Sequence, residues 1–188
     1  MIRTFVAVDL PHSLHVQLGQ LSSRLQRTGA AVSWVKPDRI HLTLKFLGNI
    51  PPEKIDAIRT ALQSVASATA AFRLRPSGCG AFPTMKQIRV VWVGLEGDLD
   101  ALRFLQERVE AAIAPLGFDP ENRPFKPHLT LGRVKGKKNL HALQEALLEE
   151  QGFQLEAFDV MEVVLYKSDL RPEGARYTPL FRAQFSPR

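Results

Sequence analysis

Apolar positions along this chain alternate between two rhythms, one of every second residue and one of every third or fourth, and each switch marks a predicted element. Residues 2–10 (IRTFVAVDL) are β-branched and aromatic and close on Pro11, which predicts a strand. Leu14, Leu18, Leu21 and Leu25 then recur at helical spacing up to Gly29, so residues 13–26 are predicted as an amphipathic helix. A short strand over 32–35 and a turn at Lys36-Pro37-Asp38 lead into a strand over 41–48. Pro51-Pro52-Glu53 opens a second helix with Ile55, Ile58, Leu62 and Val65 on its apolar side. Residues 72–75 alternate, and the glycines and prolines of 78–83 read as a turn-rich connection. Residues 88–95 (IRVVWVGL) form the second strong β run. Asp98 caps a third helix carrying Leu102, Leu105, Val109 and Ile113. A proline-rich loop over 120–127 precedes a strand from His128, and Leu140, Leu143, Leu147 and Leu148 mark a fourth helix that stops at Gly152. Residues 153–155, 160–166 and 177–185 complete the predicted strands.

One tetrapeptide occurs twice in this pattern: His41-Leu42-Thr43-Leu44 and His128-Leu129-Thr130-Leu131. In each, the leucines alternate with the imidazole and the hydroxyl, as in a strand with one buried and one open face. His and Thr then share the open face, about 6.6 Å apart along the strand at ~3.3 Å per residue. Around each motif the same order of strand, helix, histidine strand, helix and strand is written. Ile2-Arg3 opens the first copy as Ile88-Arg89 opens the second, and Phe72-Arg73-Leu74 is matched by Phe153-Gln154-Leu155. This predicts an internal duplication, with a first repeat of about 1–84 and a second of about 85–188. The expected fold is α+β: a single bilobal domain of two pseudo-symmetric lobes, each a small, mostly antiparallel sheet with helices on its outer face, and an active-site cleft between them.

Composition narrows the setting. Hydrophobic residues make up 45% and charged residues 23% of 188, the profile of an ordinary globular protein with enough chain to bury a core. A formal net charge of +6 favours encounters with polyanions without fixing a fold. The lone cysteine, Cys79, excludes an internal disulfide and a thiolate metal cluster, reads as a small structural residue, and fits a reducing, cytoplasmic setting. No apolar run reaches membrane-spanning length, and residues 5–8 are too short for a signal core, so no membrane partner is expected. Nothing points to a cofactor, and a monomer is the expected state.

Two histidines and two threonines aimed at one target suit a phosphoryl group. In-line displacement at phosphorus places a base on the attacking side and an acid on the leaving side, and imidazole, with an ordinary pKa near 6.5, serves in either role. Thr43 and Thr130 can donate hydrogen bonds to the non-bridging oxygens, and Arg133, just after the second motif, can offer a guanidinium to them. Continued alternation puts Lys45 on the face of His41 and Thr43, as a phosphate contact or a rim charge. Lys135-Gly136-Lys137-Lys138 is either a solvated turn or a contact to an RNA backbone. Phe46 and Phe125 flank the motifs, with core packing the ordinary reading and base stacking the alternative. His12, His15 and His141 lie at helix starts and read as surface residues.

The paired motifs, the opening TFVAVDLP, the HLTLKFLG extension and the HLTLGR ending resemble the two-histidine phosphoesterases, and among them the RNA 2′,3′-cyclic phosphodiesterase (2′–5′ RNA ligase) family. The resemblance runs the length of the chain. It implies metal-independent hydrolysis of RNA 2′,3′-cyclic phosphate ends to 2′-phosphomonoesters, with reversible 2′–5′ RNA ligation as a further capacity. Carried over, it makes His41 the proton donor and His128 the proton acceptor, with Thr43, Thr130 and Arg133 as phosphate contacts and Phe46 near the base. The partner is then RNA with a 2′,3′-cyclic phosphate end or a cyclic nucleotide. Rival readings are a non-catalytic RNA-end binding module, a phosphodiesterase acting on a small cyclic phosphate, and a metal-dependent hydrolase. The last would need carboxylates from distant positions, since neither motif carries a second ligand at metal spacing.

Overall fold

A computed structural model of the chain describes residues 1–186. In chain order the elements are β1 (Ile2–Val8), α1 (His12–Gln26), β2 (Val32–Trp34), β3 (Leu42–Ile50), α2 (Ile55–Ser67), β4 (Phe72–Thr84), β5 (Gln87–Gly97), α3 (Leu99–Ile113), β6 (Leu129–Val134), α4 (Leu140–Glu149), β7 (Phe158–Val160), β8 (Glu162–Asp169) and β9 (Arg176–Gln184). Over the described residues, these strands join one nine-stranded sheet in the order β7-β4-β5-β6-β3-β1-β8-β9, with β2 attached to β6. Every pairing of these strands is antiparallel.

The two rhythms of the sequence explain why this sheet has one covered and one open face. Val6 and Val8 of β1 belong to the same core as Leu42, Leu44, Leu129 and Leu131 and as the apolar stripes of all four helices. Phe5 and Ala7 point the other way and join Val164 and Tyr166 of β8 in a small separate cluster, with Tyr177 of β9 against it. The fold is thus the expected mixed one, a curled antiparallel sheet whose helices cover its outer face.

The halves of the sheet do not coincide with the halves of the chain. β3, β1, β8 and β9 form one side, and β6, β5, β4 and β7 the other, so each side takes strands from both ends of the sequence. The expected repeat boundary near residue 84 falls in the turn joining β4 to β5.

Several expectations change. The 78–83 segment is not a connection but the second half of β4, paired with β5 through two irregularities of register. Glycine suits it: a Cβ on Gly80 would stand 2.3 Å from the Trp92 ring, which lies across the strand. Residues 153–155 do not form a regular strand, since only Gln154 bridges to Ser77, and β7 takes the edge beside β4. Asp98 precedes α3 but caps nothing with its side chain, which accepts the Arg73 backbone N–H at 2.9 Å. Phe125 packs on the core as expected, whereas Phe46 is 62% exposed.

Lys45 is the largest change. It faces the helices and not the open face. In the β1–β3 register Ala7 pairs with Thr43 and Val6 with Lys45, which leaves Leu44 as an extra residue. Such a bulge reverses the in–out alternation beyond it. The Lys45 side chain, 4% exposed, donates to Glu110 Oε2 at 2.5 Å and to the Asp119 carbonyl at 3.0 Å, tying β3 to α3 and to the loop that precedes β6. A buried ion pair adds little over an apolar pair, but removing one member strands the other charge. Lys45→Met is therefore expected to lower unfolding stability by on the order of 3–5 kcal/mol in urea titration. A loss below about 1 kcal/mol would mean that Glu110 is readily rehydrated.

Candidate active site

β3 and β6 meet at a single register pair, Leu42 opposite Leu129, both fully buried. Antiparallel pairing sets His41 opposite Thr130 and Thr43 opposite His128, on the face away from the buried leucines. The imidazoles are then diagonal neighbours, a relation of roughly 7–8 Å in a regular sheet. Sequence reasoning set these four residues around one cleft, and the register brings them together.

The bulge after His41 recurs after His128. Trp92 pairs with Thr130 and Val91 with Gly132, leaving Leu131 as the extra residue in the position of Leu44. Without it, alternation would turn Arg133 toward the core. With it, Phe46 and Arg133 take corresponding places on the open face. Phe46 stands 5.9 Å from the Phe5 ring, and Arg133 is exposed and acts electrostatically on both His128 and Tyr177. Gly132 at the turned position is required by β2, because a Cβ there would lie 2.6 Å from Val32 Cγ1 and 3.0 Å from Trp34 Cε3.

Both histidines are held by the same local device. His41 Nδ1 bonds the Arg39 carbonyl at 2.8 Å, and His128 Nδ1 bonds the Lys126 carbonyl at 2.7 Å, each two residues back. A carbonyl only accepts, so each Nδ1 carries hydrogen and each Nε2 is left for chemistry. The ring of His41 stacks on Phe5 at 4.8 Å and meets Tyr177 edge-on at 5.1 Å, while His128 meets Phe82 edge-on at 4.9 Å. Burial among these rings is the largest influence on both and lowers both pKa values. The carbonyl bonds oppose it at both sites, helped at His41 by the charge of Asp9, whereas Arg133 adds to the lowering at His128. Before substrate binds, both imidazoles favour the neutral form.

Residues that carried no sequence signal complete the site. Phe5 arrives by the alternation of β1, and Tyr177 from β9, remote in sequence. Tyr166 donates to Asp9 Oδ1 at 2.5 Å and Arg182 to Asp9 Oδ2 at 2.9 Å, fixing that carboxylate behind His41. His15 departs from its surface reading, since its Nε2 donates to the Ile40 carbonyl at 3.0 Å and braces the residue before His41. His12 and His141 are surface residues, His141 beside Glu145 at 3.5 Å. Lys135, Lys137 and Lys138 are exposed at the end of β6 away from His128, with the Lys135 N–H donating to the Ala31 carbonyl at 2.7 Å. Burial pushes the Cys79 thiol up to about 12, which suits a packing role. Among the described residues, no group of three or more His, Cys, Asp or Glu is placed to hold a metal ion, and no helix is long and apolar enough to cross a membrane.

The model of the 2′-5′ RNA ligase superfamily matches residues 11–172. A curated relative from Methanothermobacter thermautotrophicus, named RNA 2′,3′-cyclic phosphodiesterase, is 35% identical over 95% of this chain and 96% of its own. Among solved structures, a Thermus thermophilus protein superposes with a TM-score of 0.81 at 28% identity, covering 98% of both chains. Escherichia coli LigT, crystallised with 3′-AMP, gives 0.77 at 27% identity, again over 98% of both. With its paired His-x-Thr strands, its curled sheet and a family match over most of its length, the chain belongs to the 2′-5′ RNA ligase superfamily.

Proposed function

We propose that this protein hydrolyses RNA 2′,3′-cyclic phosphate ends to 2′-phosphomonoesters by paired-histidine acid–base catalysis. The observation that carries the reading is the twofold repetition of one device: two imidazoles at the heads of adjoining strands, each tied through Nδ1 to a carbonyl, with His128 near enough to act electrostatically on His41. The names of the relatives support the substrate class.

His128 Nε2 takes a proton from water as the water oxygen attacks phosphorus. The phosphorus–O3′ bond breaks opposite the new bond, and His41 Nε2–H gives its proton to O3′. The products are a 2′-phosphomonoester and a free 3′-hydroxyl. Thr43 and Thr130 donate to the non-bridging oxygens and Arg133 holds their charge through the transition state, while Phe46 offers its exposed ring to the base. No step needs a metal or a cofactor. A 5′-hydroxyl in place of water gives a 2′–5′ linkage by the same displacement.

His41→Ala and His128→Ala are each expected to lower kcat/KM on a cyclic-ended oligonucleotide by on the order of 10²–10⁴. The double variant should lose far less than the product of the two, because the histidines act as a unit. A fully active His128→Ala protein would refute the pairing.

The lowered pKa values set the sign of the pH dependence. One histidine must be neutral and the other protonated, so kcat/KM is bell-shaped between the two macroscopic pKa values of the free enzyme. Both lie below the ordinary value of about 6.5, so the maximum is expected on the acid side of it. Bound phosphate favours imidazolium, so the kcat profile should shift toward higher pH. A kcat/KM maximum well above pH ~7 would contradict the burial argument. The same shifts act on stability: the unfolded chain binds protons first as pH falls below ~6.5, so the contribution of the two neutral histidines is present above that pH and lost as pH falls through their folded values.

Arg133→Ala is expected to lower kcat/KM for a cyclic mononucleotide and an oligonucleotide by the same factor, because its partner is the reacting group common to both. A loss confined to the oligonucleotide would move Arg133 away from the phosphorus.

A further inference from the structure

A cavity of about 550 Å³ opens beside His41, between the 36–41 segment and the tip of the β8–β9 hairpin. Four cations line it: Lys36 and Arg39 from the segment, Arg171 and Arg176 from the hairpin. Among the described residues none of the four has a carboxylate within ion-pair distance, although ten such contacts occur elsewhere. Three acids share the cavity, Asp9, Asp38 and Glu173, but Asp9 is already committed to Tyr166 and Arg182. The hairpin tip turns at Gly174, whose φ of +106° favours glycine and whose missing side chain leaves Arg39 Nη1 room, since a Cβ would stand 3.2 Å from it. Tyr177, edge-on to His41, lines the cavity together with the imidazole.

We propose that this cavity is the subsite for the phosphodiester immediately 5′ of the terminal nucleotide, so that the protein distinguishes an RNA end from a bare nucleoside cyclic phosphate. The inference rests on the assignment of His41 as proton donor. In opening a cyclic phosphate, the leaving O3′ stays on the ribose, so the acid that protonates it lies on the ribose side of the phosphorus. The water and its base lie on the other. With His41 as the acid, the terminal ribose and its 5′ substituent extend past His41, toward Tyr177 and the unpaired cations. The lysines of 135–138 answer this need poorly. Lys135 lies seven residues beyond His128, about 23 Å along an extended strand, whereas Arg39 is two residues from His41.

The test compares three probes: a nucleoside 2′,3′-cyclic phosphate with a 5′-hydroxyl, the same nucleotide with a 5′-phosphate, and a dinucleotide ending in the cyclic phosphate. Charge-assisted bonds to the added group should raise kcat/KM of the second and third over the first by about tenfold or more. In an Arg171→Gln/Arg176→Gln double variant this advantage should vanish, with kcat/KM for the 5′-hydroxyl nucleotide unchanged. Equal rates on all probes in the unaltered protein, or an advantage that survives the double substitution, would overturn the subsite. An equal loss on all three probes would also overturn it, by assigning the two arginines to the reacting phosphate or to the fold. Failure to open any cyclic phosphate is a separate result, which would remove the proposed function itself.

Discussion

The arrangement depends on one contact, Leu42 against Leu129. Elsewhere the two sides of the sheet are held by long ladders, but β3 and β6 share only this register pair. Both leucines are fully buried in the core that the four helices cover. Losing a buried leucine to alanine costs about 2–5 kcal/mol, a large part of a domain's stability of roughly 5–15 kcal/mol. The same pair sets the alignment of the two motifs, because antiparallel register through it puts each histidine beside the other strand's threonine. Core packing and the geometry of the site are therefore one constraint at this point.

The paired bulges add what register alone does not. An unbroken strand would put every second residue on the open face, giving Lys45 and Gly132 to the cleft and Phe46 and Arg133 to the core. One extra residue at Leu44 and one at Leu131 reverse that assignment. The site gains an exposed ring on one strand and an exposed guanidinium on the other, while Lys45 becomes a buried tie between β3, α3 and the loop before β6. That loop carries Lys126, whose carbonyl sets the tautomer of His128. The position of the second imidazole is thus tied to the first strand through a buried charge as well as through the leucine contact.

Desolvation and polarity divide the work around the histidines. Aromatic rings remove water from both imidazoles and favour their neutral forms, while the carbonyls of Arg39 and Lys126 orient them and partly restore their basicity. In the proposed reaction the donor needs a proton to hold, and an incoming phosphate would supply the field that favours imidazolium. The proposed subsite adds positive charge beside His41, on Lys36, Arg39, Arg171 and Arg176, which line the cavity there.

The sequence by itself determined most of the elements and the residues on which the proposed chemistry rests. The 2.0 and 3.6 periodicities located the helices and most strands, since burial of an apolar stripe demands those spacings wherever the element lies. The repeated His-Leu-Thr-Leu named the four central residues, because alternation places imidazole and hydroxyl together before any tertiary contact is known. Local pattern did not reach further. The bulges at Leu44 and Leu131 lie in the pairing of β3 with β1 and of β6 with β5, so alternation alone places Lys45 on the wrong face and makes core packing the ordinary reading of Phe46, which only the family resemblance set near the base. The glycines of β4 read as a turn because the Trp92 ring that requires one of them comes from another strand. Phe5, Tyr166, Tyr177 and the arginines beside His41 meet only because β8 and β9 cross from the second half of the chain to lie against β1 and each other. The tertiary structure alone decided that exchange, because strand order is set by which apolar faces share one core and not by the residues nearest in sequence.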